Sequence, residues 1–223
     1  MYISDLWIRN YRCFEDTHIE FQPGVSVIIG ENNSGKSSLL NALRLIFEGG
    51  GARSLERYDF YQGIEPSEKP PRISITATLS SKEGEETPAE LGTVATWLSD
   101  VGEGKWEAKL TYHFYLPENQ HDEFEELIDE NPSQAGYWAA VEGVLPRYVA
   151  RIDEGEPGVE KPGYQRVEPR DLSTFGVDFL DPIRDVEREM YSGRKPKLRT
   201  MLEMVKTSNP EAKKQLEEDS VEL

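Results

Sequence analysis

Val25-Ser26-Val27-Ile28-Ile29-Gly30-Glu31-Asn32-Asn33-Ser34-Gly35-Lys36-Ser37-Ser38-Leu39-Leu40-Asn41-Ala42-Leu43-Arg44-Leu45-Ile46-Phe47 is the stretch on which the reading of the whole chain turns. Val25 to Ile29 is rich in β-branched residues and nearly continuous in apolar character, the pattern of a strand buried on both faces. Gly30 to Ser37 then satisfies Gly-x-x-x-x-Gly-Lys-[Ser/Thr]. From Ser37 to Phe47 the apolar residues Leu39, Leu40, Leu43, Ile46 and Phe47 recur on one helical face, and the glycines at 49 to 51 stop the helix. The local order is strand, glycine loop, helix.

That order has a chemical reading. Gly30 and Gly35 let the backbone close round phosphates, so that the amides of Glu31, Asn32, Asn33, Ser34 and the helix start face anionic oxygens. Lys36 brings a mobile positive charge to the β- and γ-phosphates, and Ser37 offers its hydroxyl to the Mg²⁺ that bridges them, with Ser38 behind it. The sequence therefore predicts an ATP site at Gly30 to Ser38, with Ser37 as the metal ligand.

Working outward, Tyr2 to Ile8 and His18 to Phe21 read as strands, and Gln22-Pro23-Gly24 as a tight turn before Val25. Residues 72 to 80 alternate, with Ile73, Ile75, Ala77 and Leu79 on one side and Ser74, Thr76, Thr78 and Ser80 on the other. Residues 106 to 116 do the same. Two half-buried strands with one wet face each predict an antiparallel portion of a mixed sheet. Helices are expected over Pro88 to Leu98, 119 to 130 and 133 to 145, a loop over 153 to 171, and a buried strand from Gly176 to Leu180. Ile183 to Val205 reads as helix interrupted at Ser192-Gly193 and Pro196. Asn209 to Leu223 reads as a charged helix with little apolar surface. The expected division is an ATPase portion at 1–182 and a charged helical tail at 183–223.

Composition narrows the function classes. Asp plus Glu number 42 against 25 Lys plus Arg, and a net charge of -17 disfavours nonspecific DNA binding by this segment alone. Cys13 is the single cysteine, which excludes an internal disulfide and a cysteine-based zinc site within one copy. The start MYISDLWIRNYRCFED carries no apolar run behind a basic head, and no segment reaches the roughly 20 apolar residues of a membrane span, so a cytoplasmic location is expected.

The stretch LWIRNYRCFEDTHIEFQPGVSVIIGENNSGKSSLLNALRLIF resembles the opening of the ATPases related to SMC, RecF and the OLD (overcoming lysogenization defect) nucleases. The resemblance lies in Asn10-Tyr11-Arg12 and in Gly30, Asn32, Asn33, Gly35, Lys36, Ser37 and Ser38, and it covers residues 1 to 47. Tyr58-Asp59-Phe60 and FLDPIRDV at 179 to 186 resemble the OLD branch more than the coiled-coil branch. The resemblance implies an α/β P-loop NTPase of ABC or SMC-head type, in which ATP is sandwiched between two subunits and closure is coupled to DNA. It implies a role in DNA repair or phage defence, and it carries Arg12 over as a candidate phosphate contact. A solvated loop arginine is the other reading of that residue.

Such a head also needs a Ser-rich signature and a hydrophobic strand ending in Asp-Glu. Asp129-Glu130 follows Leu127-Ile128, but the spacing with Phe124 reads as an acidic helix end stopped by Pro132. Asp178 and Asp181 flank a better strand, yet Pro182 stands where the glutamate belongs. No metal-binding Glu and Asp-x-Asp elements mark a nuclease. His18, His113 and His121 are scattered, with His113 on the polar side of its strand, and no metal or catalytic role is expected of them. Gln62, Gln120, Gln134 and Gln165 are all open as a magnesium-sensing glutamine, and the catalytic residue is unassigned. The basic stretch Arg188, Arg194, Lys195, Lys197 and Arg199 is read as balanced by Glu187, Glu189 and Glu203. The expectation is an incomplete head lacking its carboxyl-terminal half, which binds Mg-ATP and hydrolyses it poorly alone. It would dimerise or take its second half from elsewhere, and reach DNA only in the complete assembly. The alternative is a non-catalytic nucleotide-binding regulatory or interaction module.

Overall fold

The computed structural model describes residues 1–48, 55–81, 97–102, 105–129, 132–155 and 166–172, with Val177 and Phe179. The chain divides into two compact units, Met1–Val177 and Asp178–Leu223, and the first holds every element described below.

Six strands form one sheet: β1 (Tyr2–Tyr11), β2 (Phe14–Glu20), β3 (Ile73–Ser80), β4 (Leu98–Gly102), β5 (Lys105–Tyr115) and β6 (Val149–Glu154). Their order is β2-β1-β3-β5-β4, and β6 also pairs with β5. β4 meets β5 at Lys105 to Ala108 and β6 meets it at Leu110 to Tyr115, so the two lie end to end along one edge. Every strand pairing among the described residues is antiparallel.

The alternating residues of β3 and β5 pair in register, Ile73 with Phe114, Ile75 with Tyr112, and Ala77 with Leu110. β1 adds Leu6 opposite Ala77 and Ile8 opposite Ile75. Helix α1 (Lys36–Phe47) packs on β3 and β5 with Leu39, Ala42, Ile46 and Phe47 buried. Phe60 closes the core elsewhere, 5.8 Å from the Phe114 ring, 6.1 Å from Trp138 and edge-on to Tyr148 at 5.7 Å. Trp138 comes from α3 (Gln134–Val144), whose Ser133 cap accepts a hydrogen bond from the Gly136 amide. Next to α3 lies α2 (His121–Leu127), and α4 (Pro169–Leu172) ends the described elements.

Several expectations are overturned. Val25–Ile29 is not a strand and is not buried: Val25 is 95%, Val27 75% and Ile29 89% exposed. A parallel-sheet strand exists only when another strand pairs with it. Both edges of β1 are taken by β2 and β3, and no other described strand lies alongside. The mixed sheet expected from the sequence is therefore wholly antiparallel among the described residues. Leu40, expected on the buried face of α1, is 50% exposed for a related reason: the sheet covers one side of the helix only.

The wet face expected of 72–80 is also buried, with Ser74, Thr76 and Thr78 at 4%, 3% and 7% exposure. These short side chains sit on a central strand between longer neighbours: Arg9 and His113 flank Ser74, and Asp5 and Lys109 flank Thr78. Thr76 satisfies its hydroxyl against Thr111 at 2.9 Å. The helix expected at 119–130 is a 3-10 turn, Glu118–Gln120, followed by α2, and Ile128 is extended. Part of the loop expected over 153–171 is occupied by the end of β6 and by α4. The expected helix Pro88–Leu98 lies outside the described residues except for Trp97 and Leu98, and Leu98 opens β4. The expected strand Gly176–Leu180 also lies outside them, save Val177 and Phe179, which are in no strand. Residues 180–223, with the basic stretch and charged tail, lie outside them entirely.

Candidate functional site

The glycine loop runs from Gly30 into α1. Gly35 caps the helix at φ 93°, a left-handed conformation that favours glycine. A Cβ there would lie 2.8 Å from Cys13 Sγ and 3.3 Å from the Phe14 ring, so close packing on the β1–β2 hairpin requires glycine too. At Gly30 a Cβ would meet Ser34 Oγ at 2.5 Å. Asn33 also has positive φ, 68°, which asparagine tolerates better than most residues.

Lys36 folds back over the loop. Its ammonium donates to the carbonyls of Gly30 at 2.7 Å and Glu31 at 2.6 Å, with Ser34 Oγ at 3.5 Å. The Ser34 amide donates to the Glu31 carbonyl at 3.3 Å. A charge held this way fixes the curvature of the loop and stays next to the cavity beside it.

That cavity, about 520 Å³, is lined by Asn32, Asn33, Gly35, Lys36, Ser37 and Ser38 from the loop and helix start. Arg12, Cys13 and Tyr58 complete the lining. Gly30, Glu31 and Ser34 do not line it; they shape the loop and hold Lys36. Among the described residues the lining carries two cationic residues and no carboxylate, in a chain of net charge -17. Ser37 is exposed at the start of α1, where unpaired amides favour an anion.

Arg12 reaches this wall from a tight hairpin turn. Tyr11 pairs with Phe14, leaving Arg12 and Cys13 as the turn, and Arg12 takes φ 52° in a position glycine usually fills. The Arg12 amide donates to the Asp59 carbonyl at 2.8 Å, and its Nε donates to Asp59 Oδ1 at 2.8 Å. Asp59 also accepts from the Glu56 amide at 3.0 Å. Arg12 is thus held by a carboxylate rather than loose in solvent, and the turn is braced against the segment carrying Tyr58. The sequence brought Arg12 to notice. It did not single out Tyr58 or Cys13 as site residues, because the signal for them is the approach of two segments distant in sequence.

The other candidates are placed elsewhere. Gln62 donates to the carbonyls of Arg57 and Phe60, Gln134 donates to those of Gln62 and Ile64, and Gln120 accepts from Arg147. None of the three lines the cavity, and Gln165 lies outside the described residues. His113 is buried, and its Nδ1 has no hydrogen-bond partner. Burial first, and then the nearby Arg72, lower its pKa from 6.5 to about 4. No cluster of three or more His, Cys, Asp or Glu suited to a metal occurs among the described residues. No helix among them is long and apolar enough to cross a membrane.

The loop matches the phosphate-loop pattern, and with the helix start it borders a cavity whose lining includes Lys36 and Arg12. Residues 1–90 match the family model described as AAA ATPase domain. The chain is similar to the DNA replication and repair protein RecF of Bacillus cytotoxicus, 44% identical over 46 residues, which is 21% of this chain and 12% of that protein. RecF of Rickettsia canadensis is 33% identical over 84 residues, 38% of this chain and 22% of that protein. The DNA double-strand break repair Rad50 ATPase of Archaeoglobus fulgidus is 39% identical over 57 residues, 26% of this chain and 6% of that protein. The chain thus spans less than a quarter of the length of these curated relatives. A solved structure of SMC ATPases, described by ATP-driven dimerization and DNA-stimulated activation, aligns with a TM-score of 0.41 and 11% identity over 78% of this chain and 76% of that one. The sequence matches support an ATPase domain of the SMC/RecF-like group in the amino-terminal part of the chain, and such a domain implies nucleotide binding.

Proposed function

We propose that this chain is the Mg-ATP-binding segment of an OLD-like ATPase of the ABC class, acting in DNA repair or phage defence. The observation that carries the reading is the cavity beside Gly30 to Ser38, lined by Lys36 and Arg12 and, among the described residues, by no carboxylate. In this reading the loop amides and Lys36 hold the β- and γ-phosphates, and Arg12 exchanges part of its contact with Asp59 for a phosphate oxygen.

The residues present fit a magnesium ion in part. Ser37 provides one hard oxygen at the helix start, and phosphate oxygens and waters supply others. A carboxylate ligand is not among the described residues of the lining. Hydrolysis accordingly depends on an acidic strand end and a signature segment brought by further sequence or a second subunit. The exposed apolar run Val25–Ile29 beside the loop supports that dependence, since it is a strand sequence without a strand partner among the described residues. DNA engagement belongs to the assembled protein, given the repelling net charge of this segment.

Isothermal titration with ATP and Mg²⁺ tests the reading. Binding is expected, and Lys36→Ala should weaken it by about a hundredfold or more, as loss of a charge-assisted phosphate contact does. A folded sample indifferent to ATP defeats the proposal, and ordinary turnover by the chain alone defeats the dependence on a second half.

A further inference from the structure

The phosphate loop accounts for the polar lining of the cavity but not for the exposed aromatic ring in its wall. Tyr58 is 68% exposed and is the one aromatic residue among the described residues lining the cavity. We infer that Tyr58 is the nucleobase platform of the site, stacking the base of a nucleoside triphosphate whose phosphates lie in the loop.

Three features favour this role. First, the ring is braced from behind. The Arg57 guanidinium lies 5.0 Å from its centroid, and that guanidinium is itself fixed by Glu142 at 3.1 Å and by the Trp138 ring at 6.0 Å. A cation against one ring face leaves the opposite face for a second π-system. Second, the backbone under Tyr58 is set before any ligand arrives. A capping box joins Glu56 and Asp59 across the short 3-10 turn Arg57–Asp59, and Asp59 is tied to Arg12 by backbone and side chain. Little ordering cost is then left for binding. Third, a cavity of about 520 Å³ has room for a nucleoside as well as its phosphates, within the ordinary range of small-ligand sites.

Stacking on a phenol ring uses the π-face that every base presents, so it contributes affinity with little choice of base. Among the described residues the lining offers no second aromatic ring to sandwich the base and no carboxylate to read an exocyclic amine. The site therefore takes nucleoside triphosphates as a class, with ATP and GTP bound alike by this chain.

The inference rests on the phosphate-binding reading above, and the test separates the two. Binding of ATP, GTP and inorganic tripolyphosphate, each with Mg²⁺, is measured by titration calorimetry for the unaltered chain, Tyr58→Ala, Tyr58→Phe and Lys36→Ala, with a thermal melt of each. Tyr58→Ala is expected to weaken ATP and GTP about tenfold and alike, the scale of one lost base–aromatic stack, while tripolyphosphate binding and the melt stay put. Tyr58→Phe keeps the ring and should keep the affinity. Lys36→Ala should weaken all three ligands.

If the unaltered chain binds none of them, the phosphate site itself is wrong. The platform alone is overturned if the unaltered chain binds them and Tyr58→Ala either leaves ATP untouched or weakens tripolyphosphate equally. Loss of ATP affinity in Tyr58→Phe as large as in Tyr58→Ala also overturns it, since the hydroxyl rather than the ring would then matter.

Discussion

Two β-rich runs in this chain meet opposite fates. Ile73–Leu79 is buried at every residue, including its serine and threonines, whereas Val25–Ile29, the more apolar of the two, lies open to solvent. Composition does not explain the difference, because it points the other way. β3 has a hydrogen-bonded neighbour on each side, β1 and β5, and the core on one face. Val25–Ile29 has neither among the described residues. A strand's burial is a property of its partners as much as of its own side chains, and here the phosphate loop is attached to the run that lacks them.

The contrast can be broken most forcefully from the core side. Phe60→Ala removes the ring that joins Phe114, Trp138 and Tyr148, and should cost about 3–5 kcal/mol by chemical denaturation, as large-to-small changes of buried aromatics do. A loss below about 1 kcal/mol, the level of surface substitutions, would show that this region is not the stabilising core.

Acid sharpens the same point on the other face of the sheet. His113 is buried between Ser74 and Arg151, with Arg72 and Asp153 also acting on it. Its pKa in the folded chain is about 4, against 6.5 when exposed, so the unfolded chain takes up the proton first. The stability tied to a neutral His113 is complete above pH 6.5 and is lost as pH falls from about 6.5 towards about 4. The loss amounts to at most about 3 kcal/mol. His113→Gln should reduce the difference in stability between pH 7 and pH 4.5; an unchanged difference counts against the buried neutral imidazole.

At the junction of the two regions, Gly35→Ala places a methyl against Cys13 Sγ in a left-handed backbone. A loss of about 1–2 kcal/mol from backbone strain is expected, together with weaker nucleotide binding, because the turn carrying Arg12 must shift. Unaltered melting and unaltered affinity together would show that the hairpin does not brace the loop.

The smallest effect is expected in the exposed run. Val27→Ala should change the stability of the chain by less than about 0.5 kcal/mol, as surface substitutions do. A cost of about 1 kcal/mol or more would mean that this residue is already covered in solution, for instance in a self-associated form, which sedimentation at two concentrations would reveal.

The motif Gly30 to Ser37, the helix behind it and the two alternating runs were legible by themselves, because their cause is local. Glycine is demanded by backbone angle and close approach, a 3.6-residue apolar period specifies a helix, and strict alternation specifies strands. Arg12 came to notice in another way, through the resemblance of Asn10-Tyr11-Arg12 to the SMC- and RecF-related ATPases. What local pattern cannot carry is who lies beside whom. Only the tertiary structure ties Arg12 to Asp59, 47 residues away, and sets Tyr58 in the wall of the phosphate cavity. Partners also determine that Ser74 and Thr78 are dry while Val25 and Ile29 are wet. Burial is a contact between distant segments, and the free energy that decides it is shared by both sides of the contact, so neither side's sequence determines it alone.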